Sequence, residues 1–342
     1  MAITQLHNVV VFGAGSIGCY LGGLLLHAGL SVQFIGRERV RETLTTRGLT
    51  LTHYANRPLR LKPEQLLVYL DPHGLTSPDI VLVTVKSQDT AEAGRALQSL
   101  VGPDTLVISF QNGMGNAERL RESLPGVEVL SAMVPFNVTS TGPGQWHCGT
   151  EGELCIAQSQ SGRLQNLQQA FVRSGQKCDL IDDIAAVQWG KLLVNLNNAL
   201  NALSGGTLFE GLMQRDYRRA LALMIEEGLD IVRCAGIEPH RFGRASPDNM
   251  IRILRLPDIV YRLIMNRILK IDKSARSSML DDLEMGRPSE VDYLQGQIVE
   301  LASQIGVEAP VNQRVLELTR AAFDGSASPR LSGRALYQQL AK

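Results

Sequence analysis

One short segment constrains this chain more than any other. Asn8-Val-Val-Val-Phe12 is an apolar run, Gly13-Ala-Gly15-Ser-Ile-Gly18 follows it directly, and residues from Ser16 to His27 carry a helical pattern. Ser31-Val-Gln-Phe-Ile35 then reads as a second strand. Strand, G-x-G-x-x-G and helix in that order is the context a dinucleotide-binding turn requires. The first glycine permits the tight turn, the second lets the backbone approach a pyrophosphate, and the third lets helix and strand pack closely. The helix N-terminus then faces the phosphates with unpaired N–H groups. The segment predicts a cofactor cradle at Gly13, Ala14, Gly15, Ser16, Ile17 and Gly18; the competing account is a structural glycine turn.

Residues Asn8 to Gly36 carry no charged side chain. They do not read as a membrane span, because five glycines between Gly13 and Gly23 dilute the apolar content. The first eight residues also lack the basic region of a signal peptide. The end of the second strand selects the dinucleotide. An NAD-binding chain usually places Asp or Glu there, whereas this one reads Ile35-Gly36-Arg37-Glu38-Arg39. A guanidinium at Arg37 suits a 2′-phosphate, so the expected cofactor is NADP(H). Arg37 as a solvated loop residue, or Glu38 turned inward, would argue otherwise.

Further along, Asp79-Ile-Val-Leu-Val-Thr-Val85 and Asp104-Thr-Leu-Val-Ile-Ser-Phe110 are continuous apolar strands, and Val127 to Phe136 is another. Such runs fit a parallel sheet covered on both faces. Turns between short β-prone runs at 140–157 suggest antiparallel strands at one edge. From Asp183 the texture becomes helical: 183–203 as one long helix, about 208–235, then 257–271, 274–285 and 289–305, with Gly306 and Pro310 as stops. The expectation is an α/β Rossmann-like domain over 1–182 and an all-α domain over 183–342, and a length of 342 residues makes two domains the prior. The tail after Gly325 has no assignment.

Lys+Arg and Asp+Glu are 34 each. That balance argues against a dedicated nucleic-acid or membrane-surface binder. Five scattered cysteines form no C-x-x-C pair, and six histidines show no metal-ligand spacing. They read as reduced thiols in a cytoplasmic protein without a metal.

Ligands of an open α/β sheet lie at the carboxyl ends of its strands. Lys86 and Asn112 fall there, each with an ordinary alternative as a helix-entry lysine or a turn former. The stretch Trp189-Gly-Lys191-Leu-Leu-Val-Asn195-Leu-Asn-Asn198 is more informative. At 100° per residue Asn198 returns to within ~20° of Lys191, and Asn195 lies at i+4. Asparagine costs roughly 0.5 kcal/mol against alanine inside a helix. Three of them in four positions imply a polar stripe with a task, or a buried hydrogen-bond layer. A lysine in a partly apolar cleft can act as a general acid. Ser277-Ser278-Met-Leu-Asp-Asp reads as the end of one helical pattern, and Glu290 as the opening of the next.

Together these motifs resemble the ketopantoate reductases over nearly the whole chain: the Gly13–Gly18 loop, Thr84-Val-Lys86, Gln111-Asn-Gly-Met-Gly115, Trp189-Gly-Lys191-Leu-Leu-Val-Asn195, Ser277-Ser-Met-Leu280 and Glu290-Val-Asp-Tyr293. The resemblance implies reduction of 2-dehydropantoate to (R)-pantoate by NADPH, on the way to pantothenate and coenzyme A. It also implies a C-terminal domain like that of 6-phosphogluconate dehydrogenase. By position, it makes Lys191 the general acid and Glu290 its catalytic partner, which would also hydrogen-bond cofactor or substrate hydroxyls. Arg37 would hold the 2′-phosphate, Lys86 would border the ribose, Asn112 would bridge ribose and substrate, and the backbone near Val138 would lie beside the nicotinamide. Asn195, Asn198 and Ser278 would hold the substrate, Ser278 its carboxylate. A homodimer is one assembly compatible with the sequence.

One departure stands out. The family spaces its two substrate asparagines by four residues, whereas Asn198 follows Asn195 at three. A later family asparagine near Ser204-Gly-Gly206 has no clear counterpart. Reduction of another 2-oxo acid or an opine-type substrate therefore remains the alternative, along with a non-catalytic NADPH sensor. The helical arithmetic turns Asn198 toward the cleft and Asn197 away from it.

Overall fold

The computed structural model describes residues 8–53, 56–241, 245–268 and 275–341. It divides into two compact units, Met1–Ile184 and Ala185–Lys342. The reading of the first seven residues lies outside the described part, as do residues 269–271 and 274 of two expected helices.

The first unit runs β1 (Asn8–Phe12), α1 (Ser16–His27), β2 (Ser31–Ile35), α2 (Glu38–Arg47), β3 (Leu49–His53), β4 (Asn56–Leu61), β5 (Leu67–Tyr69), β6 (Ile80–Val83), α3 (Thr90–Leu97), β7 (Leu106–Ser109), α4 (Asn116–Ser123), β8 (Glu128–Met133), β9 (Val138–Gly142), β10 (Gln145–Cys148), β11 (Leu154–Ala157), α5 (Gly162–Arg173) and β12 (Cys178–Ile181). Eight strands form the main sheet in the order β12-β11-β8-β7-β6-β1-β2-β5. All its pairs are parallel except β11 with β8. Strand order reverses at β1, which lies between β2 and β6, and this opens the crevice where such sheets bind ligands.

The turn-rich stretch at 140–157 divides. Only β11 joins the main sheet as an antiparallel strand. β9 and β10 instead belong to a second sheet, β4-β3-β10-β9. That sheet escapes a local reading because β10 pairs with β3 across about a hundred residues of chain, and β4 contains Pro58, a residue that argues against a strand. Two glycines in α1 seat it against both layers. A Cβ at Gly22 would lie 2.4 Å from the Phe34 ring of the main sheet, and one at Gly23 would lie 2.8 Å from Leu49 and Leu51 of the small sheet. Gly18 through Leu25 are accordingly all buried.

The second unit is helical: α6 (Ile184–Asn195), α7 (Asn197–Ser204), α8 (Leu208–Met213), α9 (Arg215–Cys234), α10 (Pro247–Leu254), α11 (Asp258–Ile268), α12 (Ser278–Glu284), α13 (Gln295–Gln304), α14 (Pro310–Asp324) and α15 (Gly333–Leu340). The expected helix over 183–203 is broken at Leu196, and the one over 208–235 is broken at Gln214, whose backbone is extended. Asparagine clusters favour the first break because their side chains compete for backbone groups. Thr207 and Glu210 cap α8 reciprocally, and α8 turns back so tightly that Gly211 lies against the Tyr217 ring.

Pro310 opens a helix instead of stopping one. It takes the first position of α14, where a proline loses nothing. The carboxylate of Glu227 accepts from Val311 N and Asn312 N, each at 2.8 Å. Ser277 likewise begins a helix: its hydroxyl accepts from Leu280 N at 3.2 Å as the N-cap of α12. The polar tail forms α15, which packs on α9.

Candidate active site

In the first unit the Gly13–Gly18 turn, Arg37, Lys86 and Asn112 follow the carboxyl ends of β1, β2, β6 and β7, whereas Val138 opens β9 of the second sheet. Gly13 has φ +110°, and a Cβ there would lie 2.7 Å from Val85 N. Its N–H and that of Ala14 donate to Ile35 O at 3.0 and 2.8 Å, tying the turn to the end of β2. A Cβ at Gly18 would approach Gly13 O to 2.2 Å, whereas at Gly15 it would meet nothing within 4 Å. The second glycine thus borders open space, as a backbone approached by a pyrophosphate requires. Ser16, Ile17 and Gly18 supply the first N–H groups of α1, which helical bonding leaves unpaired.

Arg37 caps α2 with extended backbone, and its side chain is exposed. Glu38 turns along the helix to bond Arg41, with Arg41 Nη2 2.8 Å from Glu38 Oε1. Arg37 therefore stands first at the strand end with Glu38 turned away, and a guanidinium there fits a 2′-phosphate. Lys86 is partly exposed at the entry to a short 3-10 turn, Ser87–Asp89. Asn112 exposes its side chain while its carbonyl is fixed by Ser87 Oγ at 2.6 Å and Asn116 Nδ2 at 2.8 Å. Val138 opens β9, opposite Cys148 of β10, with its side chain buried in the core of the first unit.

Thr84 is a residue the sequence reading quoted without assigning a task. Its hydroxyl donates to Gly13 O at 2.7 Å and holds the glycine turn against β6. The signal was available, since the last residue before Val85-Lys86 is hydroxylic inside an otherwise apolar strand.

In the second unit Lys191 and Asn195 share one face of α6. A Cβ at Gly190 would lie 2.1 Å from His240 O, so the helix is seated directly on that backbone. Burial pushes the Lys191 ammonium down to a pKa of about 8, and the charge of Glu290 opposes that shift. Glu290 stands at the entry to a 3-10 turn, Val291–Tyr293, that leads into α13. Asn198 is the second residue of α7, beyond the break. Ser277 ties α12 to that helix: its N–H donates to Asn201 Oδ1 at 3.0 Å and its hydroxyl to Asn198 O at 3.2 Å. Ser278 follows with its side chain exposed. Asn197 points elsewhere and accepts from the buried Tyr217 hydroxyl at 2.7 Å. Asn201, fully buried, is a polar residue left without a task by the sequence pattern; its amide also donates to Gly206 O at 2.9 Å.

A sheet with a glycine turn at its switch point, and a helical unit presenting a lysine of lowered pKa beside a glutamate, define a nucleotide-dependent oxidoreductase. The profile described as "Ketopantoate reductase PanE/ApbA" matches residues 9–161, and "Ketopantoate reductase PanE/ApbA C terminal" matches 183–323. The chain belongs to the ketopantoate reductase family and is an oxidoreductase acting on CH-OH groups. It is 29% identical over 327 residues to 2-dehydropantoate 2-reductase of Halobacterium salinarum, covering 92% of this chain and 98% of that protein. The crystal structure of a PanE/ApbA family ketopantoate reductase from Ralstonia eutropha JMP134 superposes with a TM-score of 0.78 at 28% identity, covering 93% of this chain and 99% of that one. D-mandelate dehydrogenase, solved with NADH and anilino(oxo)acetate, shares the fold at a TM-score of 0.78 and 18% identity, with 93% and 99% covered.

Proposed function

We propose that the protein uses NADPH to reduce the ketone of 2-dehydropantoate to (R)-pantoate. The observation that carries this reading is the Lys191–Glu290 pair: an ammonium brought by burial to a pKa of about 8 and opposed by a carboxylate charge. A general acid works best when its pKa lies near the operating pH. When bound, NADPH supplies a hydride to the carbonyl carbon. Lys191 donates its proton to the carbonyl oxygen, which becomes the hydroxyl. Asn195 and Asn198 orient the substrate's polar groups, and Ser278 takes its carboxylate. Arg37 selects the 2′-phosphate, the Gly13–Gly18 turn receives the pyrophosphate, and Lys86, Asn112 and the Val138 backbone complete the cofactor side. Five free cysteines suit a reducing, cytoplasmic setting.

A second reading keeps the chemistry and changes the substrate to another 2-oxo acid. It is favoured by the helix break at Leu196, which falls within the departing asparagine spacing. The test is loss of NADPH absorbance with 2-dehydropantoate beside a panel of branched and aromatic 2-oxo acids. A kcat/KM highest for 2-dehydropantoate supports the first reading. Turnover of a different acid alone supports the second, and no turnover of any sinks both.

A further inference from the structure

We propose that Gln295 is a positioning residue that holds the Glu290 turn against the helix pair bearing Lys191, Asn195 and Asn198. The inference rests on the reductase reading for its consequence in turnover and on packing for its geometry. Gln295 is fully buried. Its amide Nε2 donates to the carbonyl of Leu196 at 2.9 Å, across 99 residues of chain. Leu196 is the residue at which α6 ends and α7 begins. That carbonyl already opens α7 as its N-cap acceptor, so the amide adds a second bond at the joint between the two helices.

The other end of the connection is short and stiff. Glu290 O accepts from Tyr293 N at 3.0 Å, and Val291 O accepts from Leu294 N at 3.1 Å. Ser289 Oγ accepts from Val291 N at 3.1 Å. Val291 and Leu294 are buried, so the turn from Ser289 to Gln295 moves as one piece. Arg320 grips its outer side through Asp292 at 2.5 Å, and Gln295 grips its inner side. A glutamine fits this task where an apolar residue does not, since an apolar side chain has no donor to offer the carbonyl at the helix joint.

The test follows the titration of Lys191 in the full chain by NMR, with lysine labelled at Cε. The chain holds seven lysines, and the Lys191 resonance is identified by its loss in Lys191→Ala. Gln295→Met removes the donor at similar length. With α6 still seated on the His240 backbone, burial of Lys191 persists while Glu290 loses its fixed place. The Lys191 midpoint then falls by about half a unit or more below the parent's, as expected for a lost opposite charge. In the same variant kcat falls about tenfold, with KM for NADPH unchanged. A midpoint that stays put or rises overturns the proposal, even if the variant melts earlier. Gln295→Asn, polar but too short to reach Leu196 O, gives the same fall if Gln295→Met does not fold. The midpoint is read without substrate, so an inactive parent or a fully active Lys191→Ala sinks the reductase reading without deciding the role of Gln295.

Discussion

At the scale of single residues, charge decides the chemistry. If Lys191 is the proton donor proposed above it must be protonated to act, so with a pKa of about 8 turnover should be full below that pH and decline as pH rises through it. Glu290 pulls that value upward. Glu290→Gln therefore lowers it, and the alkaline limb of the kcat profile moves to lower pH. An unmoved limb in the pH–rate profile would show that the glutamate charge does not act on the lysine. Lys191→Ala should reduce kcat by about 10²–10⁴ while calorimetric NADPH binding stays near the parent value. On the proposed reading Arg37 carries the choice of cofactor, since Glu38 is drawn to Arg41. Arg37→Ala removes charge-assisted bonds worth about 1.5–3 kcal/mol, so titration calorimetry should show weakened NADPH binding and little change for NADH.

At the scale of elements, the sequence was most legible where one local pattern sufficed. The strand–glycine–helix start and the apolar strands β6 and β7 are periodic or contiguous signals, and they appear close to where the pattern puts them. The small sheet was not legible, because β3 and β10 pair across about a hundred residues of chain. Ser277 was misread because a hydroxyl beside apolar residues looks alike at either end of a helix; its bond to Leu280 N settles the direction. The asparagine stripe was half legible. Helical arithmetic separates Asn197 from Asn198, but it does not reveal the break at Leu196 or the Tyr217 partner. That partner turns the distinction into a measurement. Asn197→Ala leaves a buried tyrosine hydroxyl unpaired, which costs about 1–3 kcal/mol; it should lower the denaturation midpoint and leave KM for the 2-oxo acid near the parent value. Asn198→Ala should raise that KM with stability little changed, if its side chain serves the substrate as proposed. A reversal of the two outcomes in kinetics and chemical unfolding would move the substrate contact to Asn197.

At the scale of the whole molecule, the chain divides its labour between two units with different architectures. The sheet unit holds a glycine turn whose middle position borders open space, and the helical unit holds the lysine and its carboxylate. Family membership spans both, since separate profiles match residues 9–161 and 183–323. A ligand that binds only the folded form stabilises it by RT ln(1 + [L]/Kd), about 2.7 kcal/mol at a hundredfold excess over Kd. That stabilisation belongs first to the groups the ligand touches, and hydrogen exchange resolves it along the chain. NADPH should slow exchange in the amides of residues 13–18 and, through Arg37, in the first turn of α2. NADH at an equal multiple of its Kd should slow the former and leave the latter near the unliganded rate, because it has no 2′-phosphate for the guanidinium to hold. Gly15→Val sharpens the test. Its Cβ meets nothing in the protein, so the fold and the unliganded exchange pattern should survive, while the added branches fill the space a pyrophosphate needs and both cofactors lose their protection. Retained protection in Gly15→Val would place the pyrophosphate away from this turn and, with it, the cofactor outside the crevice at the end of β1.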